Sequence, residues 1–172
     1  MTALNLSGKD ISLRLLSLAD TPALQDLLER CVDFSQLVEG EPPSSDAARN
    51  MLADLPPGKS LADKFIFGIF LDNALAGVLD AVRDYPQDGV WWIGLVLLDP
   101  AQRGQGAGKQ ALNAFAALAK KQGAQALMLG VVDENQRGLK FWQRMGFELV
   151  EKRPPRLFGR KEQVVLVMRK EF

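Results

Sequence analysis

The segment between Leu95 and Gly108 contains the residue types best suited to binding an anion. An apolar stretch ends in Asp99-Pro100 and leads into a turn that has one arginine, Arg103, and glycines at positions 104, 106 and 108. Apolar residues at helical spacing begin directly after the turn. Such a passage from strand to helix directs backbone N–H groups and the positive end of the helix dipole at one point. The segment therefore predicts a site for an anion, and phosphate is the usual one.

Two common phosphate-binding motifs do not fit the spacing of this turn. A P-loop needs Gly-Lys followed by Ser or Thr, whereas Gly108-Lys109 is followed by Gln110, and Arg103 stands where its first glycine belongs. The dinucleotide motif G-x-G-x-x-G, read from Gly104, would need its third glycine at Lys109. The pattern that does fit is Arg-x-x-Gly-x-Gly over residues 103–108.

With this pattern the chain resembles the GNAT superfamily of N-acetyltransferases, and a second segment extends the resemblance. Asn135, Gly138, the pair Phe141-Trp142 and the pair Gly146-Phe147 stand at the spacings of the family's next motif. In the family, the first motif holds the pyrophosphate of acetyl-coenzyme A, and the preceding strand pairs with the pantetheine arm. The resemblance implies that the cofactor-binding residues here are Val96, Leu97, Leu98, Arg103, Gly104, Gln105, Gly106, Ala107, Gly108 and Asn135.

The resemblance also implies the fold and the cofactor. The expected fold is α/β (α+β), with a mixed, mostly antiparallel central sheet, helices on both faces and one splayed pair of parallel strands. Acetyl-coenzyme A is the expected co-substrate, with no metal. A length of 172 residues predicts a single domain over residues 1–172.

Alternation, helical spacing and turn residues place the elements along the chain. Strands are expected over residues 11–15, 65–71, 75–82, 90–98, 126–132, 147–150 and 163–168. Helices are expected from Asp20 or Thr21, from residues 44–46 to before Pro56, directly after the glycine turn, and over residues 136–144. The buried stripe of the first helix should comprise Leu24, Leu27, Leu28 and Cys31. Residues 38–43 are expected to be irregular.

The charge balance argues against nucleic acid as a partner. Lysine plus arginine equals aspartate plus glutamate, at 21 each, so the formal net charge is zero, whereas nucleic-acid-binding domains usually carry a basic excess. A local basic cluster comprises Arg153, Arg156, Arg160 and Lys161. We interpret it as a solvated loop; the alternative is contact with a cofactor phosphate or an acidic substrate.

Residue counts exclude several chemistries. The chain has no histidine and one cysteine, Cys31, so Ser-His-Asp and Cys-His catalysis, histidine or thiolate zinc sites and an intrachain disulfide are excluded. No signal peptide and no apolar run of about 20 residues is recognisable. A cytoplasmic location with no membrane partner is therefore expected, and the resemblance allows a homodimer.

The usual proton-transfer positions of the family are not filled. Many members carry a tyrosine where Trp142 stands, and an indole N–H is not a useful acid near neutrality. Many also carry a glutamate in the strand before the glycine turn, whereas residues 90–98 contain no carboxylate. Water or the ammonium proton of the substrate could suffice, and Tyr85 is a candidate acid. The candidate bases are Asp80, Asp84, Asp88, Glu39 and Glu41.

Two adjacent tryptophans bear on the acceptor side of the site. Trp91 and Trp92 should point to opposite faces of their strand, with one of them in the core. By alternation Trp92 shares its face with Val96 and Leu98, and its ring would suit a cationic amine. Residues 38–60 correspond in position to the family's variable substrate lid.

Three functions follow from these features. The first is acetyl-coenzyme A-dependent N-acetylation of a primary amine on a small molecule or a protein. The second is a non-catalytic GNAT domain that binds an acyl-coenzyme A as a sensor or partner module, as the two unfilled positions suggest. The third is a different nucleotide-binding α/β protein. This function is disfavoured because neither the P-loop nor the dinucleotide motif fits the spacing of the glycine turn.

Overall fold

An eight-stranded sheet forms the centre of the computed structural model, which describes residues 2–6 and 9–172, with side chains from residue 11 onward. The strands are β1 (Thr2–Leu6), β2 (Lys9–Leu15), β3 (Lys64–Leu71), β4 (Ala74–Val82), β5 (Val90–Leu98), β6 (Ala126–Val132), β7 (Glu148–Lys152), β8 (Arg156–Phe158), β9 (Lys161–Gln163) and β10 (Val165–Glu171). The α-helices are α1 (Thr21–Arg30), α2 (Val32–Glu39), α3 (Ala47–Ala53), α4 (Ala107–Lys121) and α5 (Gln136–Arg144). Within this part of the chain, no helix is long and apolar enough to cross a membrane.

The sheet is antiparallel except at one pair of strands. Its order is β1-β2-β3-β4-β5-β6-β10-β7, and β8 and β9 form a separate hairpin. The parallel pair is β5 and β6, joined by the crossover helix α4, and its pairing runs from Val90–Ala126 to Ile93–Leu129. Beyond that point β5 continues to Leu98, and no described residue pairs with it on its β6 side. We call the space between residues 94–98 and 130–132 the gap. The expected mixed sheet with a splayed parallel pair is confirmed.

Helices cover both faces of the sheet. On one face, Phe115 of α4 and Trp142 of α5 pack with Trp91 of β5 in the largest apolar cluster; we call this the α4–α5 face. On the other, Leu24 and Leu27 of α1 pack with Ala48 of α3 and with β3, β4 and β5, and Val38 of α2 packs near Trp92. We call this the α1–α3 face.

The elements nearest the gap begin and end where the sequence predicts. These are β5, β6 and α5. In α5, the Asn135 side chain accepts a hydrogen bond from Gly138 N at 2.9 Å, so Asn135 is the N-cap. The stripe of α1 is confirmed as well, since Leu24, Leu27, Leu28 and Cys31 are all buried.

Other elements differ from the prediction. Strand β1, helix α2 and the β8–β9 hairpin were not predicted. The last strand, expected over residues 163–168, is present, but it runs from Val165 to Glu171 as β10, and Gln163 instead ends β9. Residues 38–39, expected to be irregular, belong to α2. The helix ends at Gly40, a left-handed C-cap with φ +73°. A glycine at this position is a sequence signal for the end of a helix.

A β-bulge at Gly94 reverses the side-chain alternation of β5. Asp80 of β4 pairs with Leu95 and Ala81 pairs with Ile93, which leaves Gly94 as an extra residue. Val96 and Leu98 therefore pack on the α4–α5 face, together with Trp91, whereas Trp92 packs on the α1–α3 face. The prediction that Trp92 shares its face with Val96 and Leu98 is thus wrong.

Candidate functional site

The glycine turn lies directly at the open end of the gap. Asp99 follows β5, and its Oδ1 accepts a hydrogen bond from Ala101 N at 2.9 Å, which begins a short 3₁₀ turn. Gly104 and Gly106 then have φ of +77° and +86°, a left-handed conformation that favours glycine. Helix α4 begins at Ala107, and its first backbone N–H groups have no acceptor within the helix. The turn thus presents them beside the end of β5, as the sequence predicts.

The side chain of Arg103 holds this turn rather than extending from it. Its Nε donates to Leu98 O at 2.9 Å, and its guanidinium forms an ion pair with Asp33 of α2, in which Nη2 lies 3.1 Å from Oδ1. This hydrogen-bonded pair raises the pKa of Arg103 and lowers that of Asp33. The backbone N–H of Arg103 donates to Pro100 O at 3.4 Å. Arg103 therefore joins the turn to α2.

A second ion pair joins the same regions. Arg30, at the end of α1, donates from Nε to Asp99 Oδ2 at 2.7 Å. The hydrogen bond from Ala101 N, and then the one from Arg30, lower the pKa of Asp99. Together with the Arg103–Asp33 pair, this contact fixes α1 and α2 to the end of β5.

Two motif glycines are explained by close packing. A Cβ at Gly108 would lie 3.3 Å from Leu98 Cδ1, so glycine lets α4 pack tightly against β5. A Cβ at Gly138 would lie 2.5 Å from Asn135 Nδ2. The small residue three positions after Asn135 is thus required by the Asn135 side chain itself.

The backbone N–H and C=O groups of Val96, Leu97 and Leu98 do not all face the gap. Asp99 N donates to Ala76 O of the β4 side at 2.8 Å. Because backbone polar groups alternate in direction along a strand, those of Leu97 also face β4, whereas those of Val96 and Leu98 face the gap. The Leu98 carbonyl already accepts hydrogen bonds from Arg103 Nε and from Cys31 Sγ, the latter at 3.4 Å. Val96 therefore presents both its N–H and its C=O to the gap, and Leu98 presents its N–H.

Trp92 lies near two further side chains of interest. The rings of Tyr85 and Trp92 meet edge to face with centroids 6.0 Å apart, and the Arg153 guanidinium carbon lies 5.6 Å from the Trp92 ring centroid. A cation of the protein thus already contacts the indole that was expected to suit a cationic amine.

The basic cluster contacts its own chain, and most of it lies on the β8–β9 hairpin rather than in a loop. Lys161 Nζ donates to Leu37 O at 3.0 Å, and Arg160 Nε pairs with Glu41 at 2.9 Å. Arg156 lies over the ring of Phe158. The prediction of a loop is therefore wrong for the three residues of the hairpin and its turn, whereas Arg156 and Arg160 are exposed to solvent as expected. The hairpin instead caps the C-terminal end of α2.

The positions of the candidate bases differ in their surroundings. Asp84 Oδ1 accepts a hydrogen bond from Gly89 N and holds the turn before β5, Glu41 pairs with Arg160, and Asp88 and Glu39 are exposed. Asp80 alone among these five is a mostly buried carboxylate beside the bulge of β5. Its nearest charged group is Lys64 Nζ, at 3.2 Å.

Trp142 occupies the core and not the gap. It is buried, and its ring packs against Phe141 and Phe147 with centroid distances of 5.0 and 5.2 Å. It therefore offers no replacement for the tyrosine that many GNAT members carry at this position.

Several residues of the site were missed by the sequence analysis. Asp33 lies 70 positions from its partner Arg103, and no local pattern connects them. Lys64 was likewise not singled out. The bulge at Gly94 did have a signal, because an isolated glycine inside an apolar strand is typical of a bulge.

The comparisons with known proteins agree with this geometry. The profile of the acetyltransferase (GNAT) family matches residues 23–147, which is more than half of the chain. No protein of curated function matches the sequence significantly.

Solved structures share the fold at low sequence identity. An acetyltransferase from Thermus thermophilus is 24% identical, with a TM-score of 0.79 over 94% of this chain and 97% of that one. An acetyltransferase from Salmonella typhimurium, described as modifying the N-terminal serine of ribosomal protein L7/L12, is 21% identical, with a TM-score of 0.79 over 94% and 95%. The PaiA N-acetyltransferase from Thermoplasma acidophilum, solved with coenzyme A, is 18% identical, with a TM-score of 0.69 over 94% and 99%. With the family profile matching most of its length, this chain belongs to the GNAT acetyltransferase family.

Proposed function

We propose that the protein transfers an acetyl group from acetyl-coenzyme A to a primary amine. The observation that carries this proposal is the gap between β5 and β6, which opens directly onto the glycine turn at the start of α4. A long ligand with a phosphate group at one end and an extended amide-containing arm fits such a combination. The GNAT membership of the chain supports coenzyme A as that ligand.

Each part of the proposed site has a separate task. The amides from Gly104 to Gly108 bind the pyrophosphate, and the dipole of α4 adds to the attraction. The backbone of Val96 and Leu98 pairs with the pantetheine arm as an additional strand would. One N–H of this edge polarises the thioester carbonyl. The amide nitrogen of Asn135 remains for a hydrogen bond to the cofactor, because Oδ1 caps α5.

The departing thiolate needs little assistance. A free thiol has a pKa of about 8.5, so coenzyme A can leave as a thiolate and take a proton from water near neutral pH. Trp142, buried in the core, is therefore compatible with transfer, even though many GNAT members have a tyrosine there.

The acceptor is proposed to be an amine of a small molecule or of a protein N-terminus or lysine. Two structural neighbours are described as acting on ribosomal proteins, one on the N-terminal serine of L7/L12 and one on the alanine of S18. Peptides with N-terminal serine or alanine therefore belong in an acceptor screen beside polyamines, amino acids and aminoglycosides.

The second candidate function is a non-catalytic acyl-coenzyme A sensor. The observation that favours it is the absence of carboxylates from β5, together with the packing of Trp142 in the core. In this case the gap binds the same cofactor without a reaction.

Calorimetric titration followed by a turnover assay distinguishes the two. Acetyl-coenzyme A is titrated into the protein, and thiol release is then followed with each acceptor, while mass spectrometry of the acceptor separates transfer from thioester hydrolysis. Binding with a mass gain of one acetyl group is the expected result. Binding without transfer to any acceptor favours the sensor, and failure to bind overturns both functions.

A further inference from the structure

Asp80 lies beside the bulge of β5, the strand that borders the gap. On β4 it pairs with Leu95 of β5, which stands between the bulge residue Gly94 and Val96, whose N–H faces the gap. A Cβ at Gly94 would lie 3.2 Å from Asp80 Oδ2. Because glycine has none, and Gly94 is exposed, no side chain of the bulge residue stands against Oδ2, and the Asp80 side chain retains 16% of its exposure.

The hydrogen bonding of this carboxylate is incomplete. Lys64 Nζ donates a hydrogen bond to Oδ2 at 3.3 Å. It also lies 3.2 Å from Oδ1, but the angle at this second oxygen is unsuitable for a hydrogen bond. Among the residues that the structure describes, buried Oδ1 accepts none from any other side chain. Lys64 is itself held in place, since it donates to Asp54 O at 2.7 Å and its side chain is only 6% exposed. Asp80 thus retains the capacity to accept a proton.

The surroundings of Asp80 strengthen its affinity for a proton. Burial raises the pKa of Asp80, Lys64 opposes this increase, and the carboxylate of Asp54 adds to it. Lys64 on β3 and Asp54 at the end of α3 are the charged groups that act on Asp80. A base is most effective when its pKa approaches the working pH, and burial moves the pKa of Asp80 in that direction.

We propose that Asp80 is the catalytic base that accepts a proton from the ammonium group of the acceptor, an inference that rests on the proposed acetyl transfer. The acceptor R–NH₃⁺ gives one proton to Asp80, and the neutral nitrogen attacks the thioester carbon. The N–C bond forms and the C–S bond breaks. A second proton passes from nitrogen through solvent to the departing thiolate, and Asp80 returns its own proton to solvent.

The experiment compares the wild type with Asp80→Asn, Lys64→Met and Glu171→Gln over a range of pH. Asp80→Asn should lower kcat by about a hundredfold, leave the affinity for acetyl-coenzyme A within about twofold, and remove the acidic limb of the kcat/KM profile. Lys64→Met should move that limb to higher pH, because the opposing cation is gone. Glu171→Gln, which removes a carboxylate paired with Arg169 at the end of β10, should change neither.

A second acceptor separates chemistry from structure. For a weakly basic amine that is already neutral at the assay pH, no base is needed, and the deficit of Asp80→Asn should fall to a few-fold. If the wild type is active but Asp80→Asn has an equal deficit with both acceptors, the assignment of Asp80 is overturned and the proposed transfer is not. The same holds if the acidic limb of the Asp80→Asn profile is unchanged. A wild type that binds acetyl-coenzyme A but acetylates no acceptor overturns the proposed transfer and this inference with it.

Discussion

Two glycines with the same backbone conformation flank α4 but differ in their surroundings. Gly104 precedes the helix with φ +77°, Gly123 follows it with φ +93°, and a Cβ at either position would meet no other atom within 4 Å. The two positions are therefore equivalent in backbone strain. Only Gly104 lies in the turn whose amides are proposed to bind the pyrophosphate.

This equivalence gives a matched pair of variants. Gly104→Ala and Gly123→Ala should each lower the free energy of unfolding by about 1–2 kcal/mol, because a side chain disfavours the left-handed conformation. Only Gly104→Ala should also weaken coenzyme A binding, by about tenfold, since its Cβ stands among the amides that contact the ligand. Calorimetry and urea denaturation measure the two quantities. Equal affinities of the two variants would place the pyrophosphate elsewhere.

At the level of elements, local sequence signals predicted much of the fold, whereas elements that depend on long-range contacts were not predicted. The bounds of β5 and α5 were predictable because each has its own markers, an apolar run before Asp99-Pro100 and the N-cap Asn135. The hairpin of β8 and β9 was missed because its stability depends on capping α2, more than 110 positions earlier in the chain. No periodicity in the sequence reports such a contact.

The candidate site likewise has parts that local sequence signals predict and parts that depend on distant segments. The glycine turn was predicted from its own residues, whereas the clamp from Arg103 to Asp33 requires two segments brought together by folding. The face that Trp92 shares was predicted wrongly because one extra residue, Gly94, reverses the alternation of β5 between Trp92 and Val96. A bulge changes every later position of a strand, so this single unread signal affected Val96 and Leu98 as well.

The junction between β2 and α1 makes stability depend on pH. Asp20 accepts hydrogen bonds from Arg14 at 2.8 Å and from Ser17 N at 2.8 Å, and these contacts, that of Arg14 first, lower the pKa of Asp20 to about 2 from 3.8. A carboxylate with a lowered pKa stabilises the folded state above its unfolded pKa, and this stabilisation is lost as pH falls towards its folded pKa.

The corresponding prediction concerns Asp20→Asn. Its urea midpoint should lie below that of the wild type at pH 7, where the ion pair with Arg14 is intact, and the difference should disappear as pH falls from about 4 to about 2. Asp46→Asn is the control, because Asp46 also precedes a helix but its side chain makes no capping hydrogen bond. A difference between wild type and Asp20→Asn that is as large at pH 2 as at pH 7 would contradict this role of the charge.

For the whole molecule, the glycine turn is connected to the helices on both faces of the sheet. Helix α4 begins at the turn and packs in the largest apolar cluster, while the pairs Arg103–Asp33 and Arg30–Asp99 connect the same region to α1 and α2. Each of these exposed pairs contributes at most about 1 kcal/mol, but together they connect the two faces of the sheet at the open end of the gap. A ligand bound there contacts a region on which both helical layers depend, and its stabilisation should extend to the entire fold.

Ligand binding should therefore raise the melting temperature as a single transition. At a coenzyme A concentration one hundredfold above its dissociation constant, the expected stabilisation is about 2.7 kcal/mol, or about 5–10 °C for a chain of this size. NAD and ATP also carry phosphate groups that suit the glycine turn but have no pantetheine arm for the edge formed by Val96 and Leu98, so at equal concentration they should raise the melting temperature by less. Differential scanning calorimetry makes the comparison. Stabilisation by ATP or NAD that exceeds that by coenzyme A would show that the gap does not bind the arm, and would favour a nucleotide as the ligand.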